Sequence, residues 1–142
     1  MQTNQTGQSK STPFSARKIY EKTYFVFYNF FKAVSYKKKA GNADTEAFLL
    51  MSLLIAMDIL IIYYFTSSFF SLVYTVDIAL IIFILSFGFT LTYNYLTLEK
   101  GAIYIKLEKK YRNRSISLFF ISLVVIWTLI TSVLFYKCLT WG

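Results

Sequence analysis

Three long runs of apolar residues dominate the chain, and polar or charged residues bound each of them. The runs cover residues 47–65, 72–96 and 116–136. An α-helix needs about 20 apolar residues to cross a hydrocarbon core of roughly 30 Å. The runs are apolar on all sides, whereas strands of a membrane β-barrel alternate polar and apolar residues over about 10 positions. The pattern therefore predicts an all-α integral membrane protein with three transmembrane helices.

The segment before the first run predicts a further helix. Residues 1–12 are polar and rich in Gln, Thr and Ser, which predicts a disordered tail. Within residues 13–39, Lys18, Lys22 and Lys32 fall near one helical face, and aromatic residues cover most of the rest. This pattern predicts an amphipathic helix at the membrane interface, where Phe and Tyr rings fit the headgroup boundary. Because the apolar arc is wide, packing of this helix against the bundle is nearly as well supported.

A basic connector, residues 97–115, separates the second run from the third. Glu108 and Arg112 are spaced i,i+4, and Tyr104 and Leu107 share a helical face, which predicts a short surface helix. With this connector, residues 47–139 are predicted to form one three-span membrane domain.

Positive charge is distributed unevenly around the three runs. The chain has 15 Lys and Arg against 7 Asp and Glu, and fourteen of the basic residues precede the first run or lie in the connector. Since Lys and Arg in short loops favour the cytoplasmic side, we expect a cytoplasmic N-terminus and connector and an external C-terminus. A two-span arrangement, with residues 47–96 as one re-entrant unit, would place the C-terminus inside and fits the charges less well.

The amino-acid composition supports a membrane location and limits the chemistry. Hydrophobic residues make up 56% of the chain, above the roughly 45–50% of soluble domains. The chain has no histidine, which removes the most common general base and metal ligand. No phosphate-binding glycine loop, metal-ligand cluster or nucleophile elbow accompanies the apolar runs. We therefore expect no enzyme activity, no catalytic or metal-binding residue, no cofactor and no nucleic-acid partner.

Two acidic residues inside the apolar runs are the candidate functional residues. Asp58 lies near the middle of the first run and Asp77 near the start of the second. A carboxylate at the centre of a span costs roughly 2.5–3.5 kcal/mol on insertion scales. A short hairpin would place both side chains at similar depth, where they would share a proton or hold a cation. Two alternatives stay open. In the first, Asp58 is hydrogen-bonded and Asp77 lies at the interface. In the second, these acids pair with a basic residue of a partner or with Lys137.

Basic residues beside the spans are candidate contacts for anionic lipids. Each Lys or Arg near an anionic surface contributes about 1 kcal/mol of attraction. The same charges serve equally to orient the spans, which is the more common explanation. The candidates are Lys37, Lys38, Lys39, Lys106, Lys109, Lys110, Arg112 and Arg114.

These features favour a non-enzymatic accessory or scaffold subunit that contacts lipid and other membrane subunits or copies of itself. Abundant Lys, Asn, Phe, Tyr and Ile are typical of an AT-rich genome, and a bacterial cytoplasmic (inner) membrane is expected. Three short spans leave little room for a transport path within one chain. The alternative is a self-assembling ion-conducting or membrane-perturbing pore, of the toxin or defence-effector type, that uses Asp58 and Asp77. A membrane-bound enzyme is a third and weaker hypothesis.

Overall fold

The computed structural model describes residues 16–34, 40–99, 103–111 and 116–140. Within these ranges the chain is helical almost throughout and has no strand. The elements are α1 (Ala16–Val34), α2 (Ala40–Phe69), α3 (Val76–Asn94), a π-helical turn (Tyr95–Glu99), α4 (Ile103–Tyr111) and α5 (Leu118–Thr140). The predicted disordered tail, residues 1–12, lies outside the described residues.

Over the described ranges, three helical segments are long and apolar enough to cross a membrane. They are Ala43–Phe69, Val76–Thr97 and Leu118–Thr140. This result confirms the predicted all-α fold class with three apolar helices and a preceding N-terminal helix. Their length and composition indicate an integral membrane protein.

The hairpin between α2 and α3 differs from the one that the apolar runs predict. α2 continues through the polar residues 66–68, because the hydroxyls of Thr66 and Ser67 bond to carbonyls of their own helix at 2.7 and 2.9 Å. It ends where Ser71 adopts a left-handed φ of 53°. Thr75 then caps α3 by accepting a hydrogen bond from the Ile78 amide at 3.4 Å. Residues 72–75 therefore belong to the loop rather than to the second span.

α2 is the central helix of the bundle, since α1, α3 and α5 all pack against it. In the most apolar part of α2, 39% of the residues are buried within the protein, whereas the share is 11% in the corresponding parts of α3 and α5. Most of the surface of α3 and α5 is therefore apolar and faces away from the chain. In a membrane such surface contacts lipid or the helices of a partner.

α1 packs against the bundle through one side. Its buried residues are Thr23, Tyr24, Phe25, Phe27 and Tyr28. The four aromatic residues among them belong to a core that includes Ala47, Met51 and Leu54 of α2, Leu107 of α4 and Val124 of α5. Phe30 and Val34, in contrast, are 58% and 68% exposed. α1 is thus held by protein contacts, and its location at a membrane interface stays a prediction.

Candidate functional site

Asp58 lies half-buried on α2, and two side chains of α5 donate hydrogen bonds to it. Trp127 Nε1 lies 2.9 Å from Asp58 Oδ2, and Thr131 Oγ1 lies 2.8 Å from Asp58 Oδ1. Trp127 and Thr131 are one helical turn apart, so both reach the same side of α5. Each carboxylate oxygen therefore has a donor within the bundle, and the acid links α2 to α5.

Asp77 lies elsewhere, exposed in the first turn of α3. An acid is favoured at this position, because the N-terminal end of a helix carries partial positive charge. Its depth follows from the antiparallel register of α2 and α3, in which Thr90 and Asn94 both contact Ser52. By this register Asp77 is about nine residues, or ~14 Å, nearer the hairpin than Asp58.

The structure therefore does not bring the two carboxylates together. The prediction of similar depth assumes that the hairpin begins after Phe65 and ends at Leu72. α2 instead runs on to Phe69 and α3 begins only at Val76, which moves Asp58 deeper and Asp77 towards the end of its span. A role for either acid in moving protons or ions stays a prediction.

A second polar cluster links α1, α2 and α3. Asn94 Nδ2 donates to Ser52 Oγ at 2.6 Å, and both side chains are 0% exposed. The Thr90 hydroxyl lies 3.2 Å from the Ser52 carbonyl oxygen, and the Tyr20 hydroxyl donates to Asn94 Oδ1. Burial raises the pKa of Tyr20 to about 12. Side-chain hydrogen bonds thus join Tyr20, Asn94 and Ser52, and the Thr90 hydroxyl adds a contact to the α2 backbone.

A third cluster links α1 to α4. The Tyr28 hydroxyl donates to Glu108 Oε1 at 3.0 Å, and the Lys32 ammonium bonds to the same carboxylate. Burial raises the pKa of Tyr28 to about 12, and the hydrogen bond and the charge of Glu108 act in the same direction. The phenol therefore stays protonated and holds α1 to α4 over the physiological pH range.

The predicted lipid contacts are partly outside the described residues, which exclude Lys37, Lys38, Lys39, Arg112 and Arg114. Lys106, Lys109 and Lys110 are exposed on α4. Lys110 Nζ also lies 3.7 Å from the Glu21 carboxylate of α1. Lipid binding by these residues stays a prediction.

The partners of Asp58 are not among the candidate residues that the sequence predicts. One signal for them exists in the sequence, because Trp in membrane helices is enriched at the interfaces, whereas Trp127 lies near the middle of its span. An indole N–H at that depth needs an acceptor. The buried cluster around Asn94 carries a weaker signal, since a single amide near the end of a span is common.

These contacts stabilise the packing of helices. Hydrogen bonds between membrane helices contribute about 0.6 kcal/mol on average and up to about 1.7 kcal/mol. Comparisons with protein-family models, with curated proteins and with solved structures gave no match. The arrangement of the chain's own residues is therefore the basis for a functional proposal.

Proposed function

We propose that this chain is a non-enzymatic accessory or scaffold subunit of a bacterial inner-membrane assembly. It binds a transmembrane helix of a partner subunit through the outward face of α3. The observation that carries the proposal is Gly88, a glycine on this face that the packing of the chain itself does not require.

Gly88 forms a notch in the apolar surface of α3. A Cβ atom added there would meet nothing within 4 Å, so no neighbour within the described chain needs the glycine. A glycine inside a helix costs about 1 kcal/mol relative to alanine. Leu85 and Phe89, 68% and 74% exposed, flank the notch. Close approach of a partner helix at Gly88 would explain why this loss of helix stability is tolerated.

Thr92 extends this face by one turn. It is exposed, and its hydroxyl donates to the Gly88 carbonyl at 2.9 Å, so it needs no further partner. Small residues four positions apart let the backbones of two membrane helices come close, and packing then replaces contacts with lipid. Gly88 and Thr92 have this spacing on a helix in whose most apolar part only 11% of the residues are buried within the chain.

The interior of the bundle supports a structural role rather than a transport role for one chain. Asp58 receives hydrogen bonds from Trp127 and Thr131, and Ser52 and Asn94 bond to each other. These polar groups are occupied in joining helices. Polar contacts therefore hold the helices of the chain together, while apolar faces of α3 and α5 point outward.

The test is the mass and composition of the native complex, extracted mildly from the host membrane with wild-type chain and with Gly88→Leu. We expect a heteromeric complex for the wild type and loss of about 90% of the partner from the variant, a tenfold change. Ser132→Leu is the matched control, because Ser132 is exposed on α5 and bonds only to its own helix. A wild-type chain without a different partner, or equal loss in both variants, would contradict the proposal.

A self-assembled pore is the second candidate, and the exposure of Asp77 favours it. Copies assembled through α3 would place a ring of carboxylates at one end of a path, as in cation channels. A homo-oligomer of fixed number with ion flux that Asp77→Asn abolishes would put the pore in first place. A homo-oligomer without ion flux would eliminate it.

A further inference from the structure

Two adjoining cavities lie between α1, α4 and α5. The larger is an apolar groove of about 660 Å³, and the smaller is a basic pocket of about 420 Å³. Tyr111 and Ile116 line both, so the cavities meet along these two side chains. The groove is lined mainly by apolar residues, among them Phe25, Val26, Phe30, Leu50, Val125 and Leu129.

The basic pocket has more positive than negative charge. Lys18 and Lys22 of α1 and Lys110 of α4 line it, together with the Ser117 hydroxyl. The nearby carboxylate of Glu21 is 3.1 Å from Arg17 and 3.7 Å from Lys110. Neither Lys18 nor Lys22 forms a salt bridge with any residue that the structure describes. The Lys22 ammonium lies over the Phe120 ring, 5.8 Å from its centre, a contact that leaves its N–H donors open to a bound anion.

The basic pocket and the apolar groove follow one another as the headgroup and the acyl chains do in a lipid molecule. Ser117 directly precedes α5, so the basic pocket lies at the end of the third apolar span. From there the groove follows α5 from Ile121 to Leu129. This stretch is about 12 Å long, most of the roughly 15 Å half-thickness of the hydrocarbon core.

We propose that the joined cavities bind one anionic phospholipid. The headgroup phosphate contacts Lys18, Lys22 and Lys110, with the Ser117 hydroxyl as a further donor, and one acyl chain lies in the groove between α1 and α5. A zwitterionic lipid would fill the groove but bring no net charge to the lysines. A free phosphate ester would leave about 660 Å³ of apolar groove unfilled. The site does not depend on the partner proposed for α3.

The first test measures lipid binding to the full chain, purified in detergent, by native mass spectrometry. The probes are dioleoyl phosphatidylglycerol and dioleoyl phosphatidylcholine, which share their acyl chains. We expect one phosphatidylglycerol per chain. The Lys18→Gln/Lys22→Gln variant should bind it roughly 30-fold more weakly, since each basic residue near the charge contributes about fivefold.

The matched control removes the same charge from residues of α4 that do not line the pocket. Lys106→Gln/Lys109→Gln changes two exposed lysines that do not line the pocket. Its affinity for phosphatidylglycerol should fall much less than that of the pocket variant, because these lysines supply only general attraction to an anionic headgroup. Equal loss in both double variants would indicate general attraction between charges without a site. Equal binding of the two lipids would indicate that the lysines do not select an anionic headgroup. Either result would overturn the proposal.

A second pair of variants tests the groove. Val125→Trp places a large side chain in it, whereas Val133→Trp changes a similarly exposed residue further along α5, outside the lining. We expect weaker phosphatidylglycerol binding only for Val125→Trp, with unchanged helix content by circular dichroism. Water-soluble glycerophosphoglycerol should not displace the lipid. If it does so at equal concentration, or if Val125→Trp binds as the wild type, the ligand is a free phosphate ester and the proposal fails.

Discussion

At the scale of single residues, Asp58 and Asp77 have different surroundings although both lie in apolar segments. Asp77 is exposed at a helix start, where an acid is favoured. Asp58 lies deeper, where a carboxylate costs roughly 2.5–3.5 kcal/mol. Two hydrogen bonds of about 0.6–1.7 kcal/mol each offset much of this cost. Trp127 and Thr131 therefore make an acid at this depth tolerable, and the acid in turn joins α2 to α5.

The bond between Thr131 and Asp58 gives a prediction for stability. Thr131→Val removes one donor and should lower the free energy of unfolding in detergent by about 0.6–1.7 kcal/mol. Thr128→Val is the control, because the Thr128 hydroxyl bonds only to the Val124 carbonyl of its own helix, at 2.9 Å. Its effect should stay within about 0.5 kcal/mol. In an Asp58→Leu background the Thr131→Val effect should vanish, and additive effects would contradict direct coupling.

At the scale of elements, two tyrosine hydroxyls add to the core contacts that hold α1 on the bundle. Tyr20 donates to Asn94 of α3 and Tyr28 donates to Glu108 of α4. The two tyrosines are eight positions apart, so they hold both ends of the buried stretch of α1. Both contacts need the protonated phenol, and burial raises the pKa of each group to about 12.

This attachment predicts alkaline destabilisation. The unfolded phenols ionise near their ordinary pKa of 10.0, whereas the folded ones keep their protons up to about pH 12. The folded state binds more protons in this window, so stability is fully present below about pH 10 and falls as pH rises to about 12. The denaturant midpoint in detergent, measured along this range, checks the slope.

At the scale of the whole molecule, the positive charges beside the three apolar helices predict the orientation of the chain. Fourteen of the 15 Lys and Arg lie before the first apolar run or between the second and third. α4 packs against α1, and Lys110 of α4 lies 3.7 Å from Glu21 of α1, so the described basic residues of these two helices are close together. The hairpin from Phe70 to Thr75 and the end of α5 lie at the opposite end of the bundle, where the Tyr74 hydroxyl donates to the Cys138 carbonyl at 3.2 Å.

The orientation predicts which positions a membrane-impermeant thiol reagent reaches. Cys138 is the only cysteine in the chain, so single cysteines can be placed in a Cys138→Ser background. In intact cells Phe70→Cys and Thr140→Cys should be labelled, whereas Lys106→Cys should be labelled only after the membrane is opened. Labelling of Thr140→Cys from the same side as Lys106→Cys would indicate two spans and contradict the three-span topology.

The class of this protein could be predicted from the sequence, because the apolar runs and the charges between them are properties of consecutive residues. The three apolar helices, the N-terminal helix and the short helix in the connector depend on such local patterns. The ends of the helices were harder to predict from the sequence. The hydroxyls of Thr66 and Ser67 bond to carbonyls of their own helix, and α2 continues past the polar residues that predict its end.

What only the tertiary structure decided is which side chains meet across helices. The pairing of Asp58 with Trp127 and Thr131, and the different depths of the two acids, depend on the rotation and register of each helix. An apolar run that is hydrophobic on all sides carries no periodicity from which that rotation follows. The attachment of α1 through Tyr20 and Tyr28, and the meeting of a basic pocket with an apolar groove, likewise arise from contacts between residues far apart in the chain.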